Sequence, residues 1–291
     1  MSTVTATAGT GKPVARSRPL LGWHIYDGLV VSKRNLIQTV RVPELLFFSL
    51  VQPVIFVLMF AYVFGGAIPV PGSGGEGAEA YRQYLIPGIF AQTVAFAAAQ
   101  STVGIAEDMH KGLIDRFRSL PMKASAVLLG RTFADATRNI LVLAVLSITG
   151  LIVGWRISDG FLSAIGAYLL LLLFAYVCAW IGSWIGLHMP NPETANTAGL
   201  VWLFPLTFIS NAFVPLAGMP SVLQWFAAWN PLSALTLSVR ELFGNPTGMP
   251  PGSTGYWSLD HPVLYTIIAC AVLLLIFVPL AVRKYRRTTA R

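Results

Sequence analysis

Apolar residues run almost without interruption over 45–64, 84–106, 139–157, 161–187, 197–217 and 262–282. Each run is close to or above the ~20 residues that a helix needs to cross about 30 Å of hydrocarbon. The runs are continuous, not alternating, so they predict helices and not barrel strands. A different pattern precedes them. In 22–41, Ile25/Tyr26, Leu29/Val30, Leu36/Ile37 and Val40 recur at helical spacing, with His24, Asp27, Lys33, Arg34 and Gln38 largely between them. That spacing predicts an amphipathic helix lying on a membrane surface, the plainer alternative being a basic flank to the first span. The stretch 221–243 is apolar enough for a seventh span, but Asn230-Pro231 breaks it and Arg240-Glu241 sit near its end. It predicts two short helices, tucked partway into the membrane or packed over the spans.

Composition makes the membrane assignment firm, since 55% of residues are hydrophobic and the mean hydropathy is +0.66, outside the soluble range. Residues 1–21 are rich in Ser, Thr, Ala and Gly, with Lys12, Arg16 and Arg18 and no apolar core directly after them. They read as a disordered cytoplasmic tail and not as a cleaved signal peptide. The expected plan is this tail, an all-α transmembrane domain over 22–285, and a basic tail at 286–291. Cys178 and Cys270 lie inside apolar runs and read as packing residues. Charge fixes the parity. With six spans and both termini cytoplasmic, all of the 20 Lys and Arg except Arg82, Arg156 and Arg240 fall inside. A seventh span would push the C-terminal "RKYRRTTAR" out.

The apolar runs hold no Asp, Glu, Lys or Arg apart from Arg156 at the margin of the third. Intramembrane ionisable groups mark proton relays, so a proton-driven transporter is disfavoured, as is a membrane-embedded hydrolase. Sodium coupling through hydroxyls and carbonyls stays open. "GTGKP" (9–13) imitates the end of a P-loop, but Ala6 stands where the first glycine belongs and Pro13 where the Mg²⁺-binding hydroxyl belongs. No ATP site is expected in this chain, and it is not expected to be an enzyme. The runs do carry neutral polar and aromatic faces at steps of three or four residues: Gln52/Phe56/Phe60, Gln92/Phe96/Gln100 and Phe204/Phe208/Asn211. Two readings fit them. One is helix packing with amides as glue, and the other is a pathway whose aromatics hold a substrate while the amides orient it. Gly182 and Gly186 form a GxxxG pair that reads as helix packing.

Against this background, "EDMHKGLIDRFRSLPMK" (107–123) is unusually charged. A helical reading places Glu107, Lys111 and Asp115 on one stripe, with Asp108, Arg116 and Arg118 flanking it and Pro121 ending it. A charged cytoplasmic helix whose Met109, Leu113, Phe117 and Leu120 supply apolar contact suits docking to a soluble partner. The positive-inside rule alone explains the arginines but not the interleaved carboxylates.

The stretch 106–131, "AEDMHKGLIDRFRSLPMKASAVLLGR", resembles the signature loop of ABC-2 type transport permeases, and within them the daunorubicin-resistance permeases. Glu107, Asp108, Gly112, Arg116, Arg118, Leu120, Pro121, Gly130 and Arg131 carry the match, and "YLIPGIFAQ" (84–92), "SNAFVP" (210–215) and "NPLSALTLSVRELF" (230–243) add to it. The resemblance implies a six-helix permease of the bacterial plasma membrane, working with a second permease chain, the same or a sister. It also implies two separate ATP-binding subunits that carry the ATP and Mg²⁺, and it gives no role to nucleic acid. The helix at 22–41 would be the connecting helix and 107–123 the coupling helix. The segment 218–261 would form outer re-entrant helices, with Asn211, Phe213 and Pro215 near an outer gate. Drug efflux and antibiotic self-resistance are the implied functions. Lipid and polysaccharide exporters share the fold, and a partner-free facilitator is the remaining alternative. A charge-free, aromatic-lined pathway leans toward neutral or cationic aromatic cargo.

Overall fold

Where the apolar runs begin and end is decided by a few polar residues. The computed structural model describes residues 43–63, 70, 77–112, 124–249 and 255–289. The expected surface helix at 22–41, the tail 1–21 and residues 113–123 of the charged loop lie outside the described residues. The helices are α1 (Pro43–Val63), α2 (Ala78–His110), α3 (Ala124–Val153), α4 (Phe161–Gly186) and α5 (Pro192–Phe208). A single 3₁₀ turn (Leu216–Gly218) leads to α6 (Ser221–Ala228), α7 (Pro231–Phe243), α8 (Trp257–Asp260) and α9 (Pro262–Thr289). No strand occurs among the described residues.

Four of these helices are long and apolar enough to cross a membrane: α2, α3 from Gly130 onward, α4, and α9 to Arg287. α1 is apolar over Leu50–Val63, and α5 has 17 residues, a length of about 26 Å. On α9, Ile267, Ile268, Val272 and Leu275 are exposed on the surface, as a lipid-facing helix requires.

Four helices differ in extent from the hydropathy reading, the second running over Ala78–His110, not 84–106. The third helix starts at Ala124, not 139, because Arg131 pairs with Asp108 and Asp135 accepts from Ser101, both on α2. The fifth runs over Pro192–Phe208, not 197–217. Its start is set by Asn191, whose side chain accepts from the Thr194 amide at 2.8 Å, with Pro192 at the first helical position. Past Phe208 the apolar sequence continues, but the chain turns through 209–215. The sixth continues through Arg283, Lys284, Arg286 and Arg287 to Thr289, so the basic tail begins as helix.

The break expected at Asn230-Pro231 is present, and Asn230 serves two helix ends. Its Oδ1 accepts from the Leu232 amide at 2.8 Å, capping α7, while its Nδ2 donates to the carbonyls of Leu206 (2.7 Å) and Ile209 (2.6 Å) at the end of α5. Both helix termini are thereby satisfied by one side chain.

α2 is the central element, packing against α1, α3, α4, α5 and α7. Its close approach to α4 depends on Gly182 and Gly186, where a methyl group would overlap the backbone oxygens of Ala98 and Thr102 respectively. Between membrane helices, such backbone contact replaces the hydrophobic driving force that lipid removes. Gly182→Ala is therefore expected to cost about 1–3 kcal/mol, read as a lowered melting temperature of the purified protein. An unchanged melting temperature would show that α2 and α4 can separate freely at this point. Beyond α2's N-terminal end, Trp155 Nε1 donates to Asn245 Oδ1 at 2.7 Å, and Asn245 Nδ2 donates to Gln83 Oε1 (3.1 Å) and the Arg156 carbonyl (2.9 Å). This ties α2, the α3–α4 turn and the end of α7 into one polar cap.

Candidate functional site

The helix register set by these contacts turns α1, α2, α3 and α5 toward a common cavity of about 420 Å³. Its wall includes Gln52 and Phe56 from α1, Gln92, Phe96 and Gln100 from α2, and Phe204 and Phe208 from α5. Seven of the nine residues on the three faces read from periodicity thus meet at one space. The other two lie behind it. Phe60 stacks on Phe56 (5.8 Å between centroids) and on Phe213 (5.0 Å), while Asn211 is buried. The rings form a continuous series, since Phe96 meets Phe204 edge-on at 5.8 Å, Phe204 stacks on Phe208 at 5.9 Å, and Phe208 stacks on Phe213 at 6.1 Å. Phe213 and Pro215, expected at an outer gate, are buried in the turn that follows α5.

The cavity is not free of charge, contrary to the expectation from hydropathy. α3 contributes Asp135, Arg138 and Asn139, and α5 adds Asn196. Ser101 on α2 donates to Asp135 Oδ2 at 2.6 Å. The Ser101–Asp135 contact puts the charged groups beside Gln100, toward the C-terminus of α2. Phe96, Phe204 and Phe208 continue away from them with Gln92 among the rings, so the cavity is itself amphipathic.

At the C-terminal end of α2 the chain enters the charged loop. Glu107 pairs with Lys111 at 2.9 Å across one helical turn. Asp108, with its side chain 19% exposed, pairs with Arg131 of α3, which is 17% exposed. The Arg131 guanidinium lies over Gly104, where a Cβ would collide with it. Met109 is half-buried and packs beside Ile105 and Tyr285. Lys111 caps the helix and Gly112 turns away with φ of +64°, a conformation open to glycine. Of the stripe read from the sequence, Glu107 lies in the last turn of α2 and Lys111 at its C-cap. Asp115, Arg116, Arg118, Leu120 and Pro121 fall outside the described residues.

The residue that sequence reasoning missed is Arg240. Charge counting gave it only a side of the membrane, and the structure shows its side chain fully buried. Nε donates to the Tyr84 carbonyl at 2.8 Å, and Nη2 donates to the carbonyls of Asn211 and Ala212 at 3.0 Å each. Its guanidinium carbon lies 3.4 Å from the centroid of the Tyr84 ring, and the Tyr84 hydroxyl donates to the same Asn211 carbonyl at 2.7 Å. The turn after α5 is thus held to α2 and α7 by one cation. An arginine within an apolar, Asn-Pro-initiated helix was the available signal, since intramembrane charge is rarely idle.

The pattern of the family described as ABC-2 type transporter matches residues 27–243. Over 267 residues, covering 92% of this chain and 86% of the relative, the sequence is 32% identical to the daunorubicin resistance ABC transporter permease protein DrrB1 of Streptomyces coeruleorubidus. It is 28% identical to the doxorubicin resistance ABC transporter permease protein DrrB of Mycobacterium tuberculosis, covering 76% of this chain and 77% of that one. A putative transport permease, ycf38, of Cyanophora paradoxa is 26% identical, covering 76% and 75%.

Proposed function

Because the chain belongs to the ABC-2 type transporter family and is the permease component of such a transporter, we propose that it drives export of an amphipathic drug or antibiotic with ATP hydrolysed on separate subunits. In this reading two copies of an ATP-binding subunit carry ATP and Mg²⁺, and the permease pairs with a second permease chain. The six spans are α1 to α5 and α9, with both termini cytoplasmic in a bacterial plasma membrane. This reading takes 1–21 as a cytoplasmic tail, 22–285 as the transmembrane domain with a connecting helix at 22–41, and 286–291 as a basic cytoplasmic tail. α6 and α7 are the outer re-entrant pair, and Phe213 and Pro215 belong to the outer gate.

One observation carries the reading. A single uninterrupted helix, α2, lines the cavity with Gln92, Phe96 and Gln100 and then enters the charged loop with Glu107 and Asp108. About 24 Å of rigid rod separates Gln92 from Asp108. Tilting of the loop by closing ATPases would move the cavity wall with it. The ring series gives a planar cargo stacking partners worth about 0.5–1.5 kcal/mol each, and the amides orient its polar end.

The test is made on membranes holding the permease with its ATPase. Glu107→Lys and Arg116→Glu should detach or uncouple the ATPase, since like charges facing across an interface cost several kcal/mol. Phe56→Ala and Phe208→Ala should leave docking intact while drug-stimulated ATP turnover and resistance fall several-fold. If charge-reversed loops retained full ATPase association and transport, the docking role would be wrong. Alanine variants that transport normally would return the rings to ordinary packing.

A further inference from the structure

We infer that the polar end of the cavity binds an anionic oxygen group carried on an apolar body, and that Arg138 selects it. This rests on reading the cavity as the transport pathway.

α3 sets Asp135 and Arg138 three residues apart, so both line the cavity. Their needs are met unequally. Asp135 receives the Ser101 hydroxyl at 2.6 Å. Arg138 is half-buried; it feels the field of Asp135 one helical turn away, but among the described residues nothing accepts a hydrogen bond from it and no carboxylate lies within ion-pair distance. The groups facing that end from the other helices are neutral amides: Gln52 from α1, Gln100 from α2 and Asn196 from α5. A guanidinium has five donors in a fixed fork suited to phosphate or carboxylate, and leaving it partly desolvated without an acceptor is costly. The complementary ligand brings acceptor oxygens with negative charge. A cationic ligand would instead set its charge beside Arg138. The opposite, ring-lined end takes the apolar body, so the ligand is an anionic amphipath. Two sources share this chemistry, a phospholipid headgroup entering from the bilayer and a small aromatic anion. Asp135 sets a limit on affinity, because its carboxylate repels the same anion.

The full-length chain, purified in a neutral maltoside detergent, is titrated calorimetrically with 1-naphthyl phosphate and with 1-naphthylmethylamine. The phosphate should bind at least roughly tenfold more tightly than the amine, and Arg138→Gln should weaken it by roughly tenfold to a hundredfold. Arg138→Lys should retain part of the binding, and Asp135→Asn should strengthen it. Native mass spectrometry then separates the sources. Phosphatidylglycerol retained by the wild type, lost in Arg138→Gln and displacing the naphthyl phosphate, identifies the headgroup. Phosphate binding that phosphatidylglycerol does not disturb identifies the small anion. Equal or tighter binding of the amine overturns the inference, as does an Arg138→Gln variant that is monodisperse and binds the phosphate like wild type. Loss of a permease dimer in that variant, with phosphate binding intact, would assign Arg138 to a second copy of the chain and overturn it too. None of these readouts requires ATPase, so the pathway reading and this inference fail separately.

Discussion

Arg240→Leu is expected to be the most damaging single substitution in the described part of the chain, lowering stability by roughly 3–5 kcal/mol and depleting folded protein from the membrane. The side chain is fully buried, and its Nε and Nη2 reach the carbonyls of Tyr84, Asn211 and Ala212. Removing it strands the Ala212 acceptor in an apolar interior and takes the Arg240 partner from the Tyr84 carbonyl inside α2, while Asn211 keeps only the Tyr84 hydroxyl at 2.7 Å. Each orphaned buried group costs about 1–3 kcal/mol. Arg240→Lys should rescue little, because an ammonium on a flexible stem does not bridge three carbonyls on two elements while stacking on a ring. Tyr84→Phe deletes one hydrogen bond and should cost about 1 kcal/mol. The ranking Leu, then Lys, then Phe in loss of melting temperature and of membrane abundance is the expected result. Wild-type melting of Arg240→Leu would mean that the turn after α5 is held by something else.

Arg240 also shows why part of this molecule could not be read from its sequence. A positive-inside count gives an arginine a side of the membrane and says nothing of its burial, so Arg240 passed unremarked. Whether an arginine is buried depends on which carbonyls the fold brings near it, and Tyr84 is 156 residues away in sequence. The same limit displaced the start of α3. A hydropathy window stops at Arg138, yet the helix continues back to Ala124 because Asp108, Gly104 and Ser101 on α2 receive Arg131 and Asp135. The charges that ended the span on paper are those that give the cavity its polar end.

Local signals fared better. The Asn-Pro pair at 230–231 was legible as a break, since asparagine caps and proline starts a helix. The identical pair at 191–192 sets the start of α5 and carried the same information. The faces Gln52/Phe56 and Gln92/Phe96/Gln100 were legible as faces, because helical period alone aligns them. Their convergence on one cavity was not, because that depends on how α1, α2, α3 and α5 pack. The end of α5 at Phe208 was hidden for a different reason. The sequence stays apolar to Leu216, and the turn is imposed by acceptors committed to Arg240 and by Asn230 closing the helix end.

The pair Asp108–Arg131 should respond to charge reversal with a second large effect. Both side chains are four-fifths or more removed from solvent, so leaving one charge unpaired costs about 3–5 kcal/mol, well above the ~0–1 kcal/mol of an exposed pair such as Glu107–Lys111. Asp108→Arg would place two guanidinium groups at the base of the loop and splay α2 from α3. Arg131→Asp would do the same with carboxylates. Each single variant should lose thermal stability and any ATP-coupled transport together. Combining them should recover part of both, giving a coupling energy of about 1–3 kcal/mol in the cycle. Recovery stays incomplete because Gly104 makes room for a guanidinium arriving from α3, and an arginine at position 108 projects from the same helix as Gly104. Gly104→Leu, which changes no charge, should reproduce the single-variant loss by pushing Arg131 off α2. Thermal melting measured beside transport in the five proteins, wild type included, separates the roles. Additive losses with no recovery in the double variant would show that Asp108 and Arg131 act independently. Intact melting with lost transport in Asp108→Arg would mean that Asp108 serves the ATPase partner directly instead of holding α2 to α3.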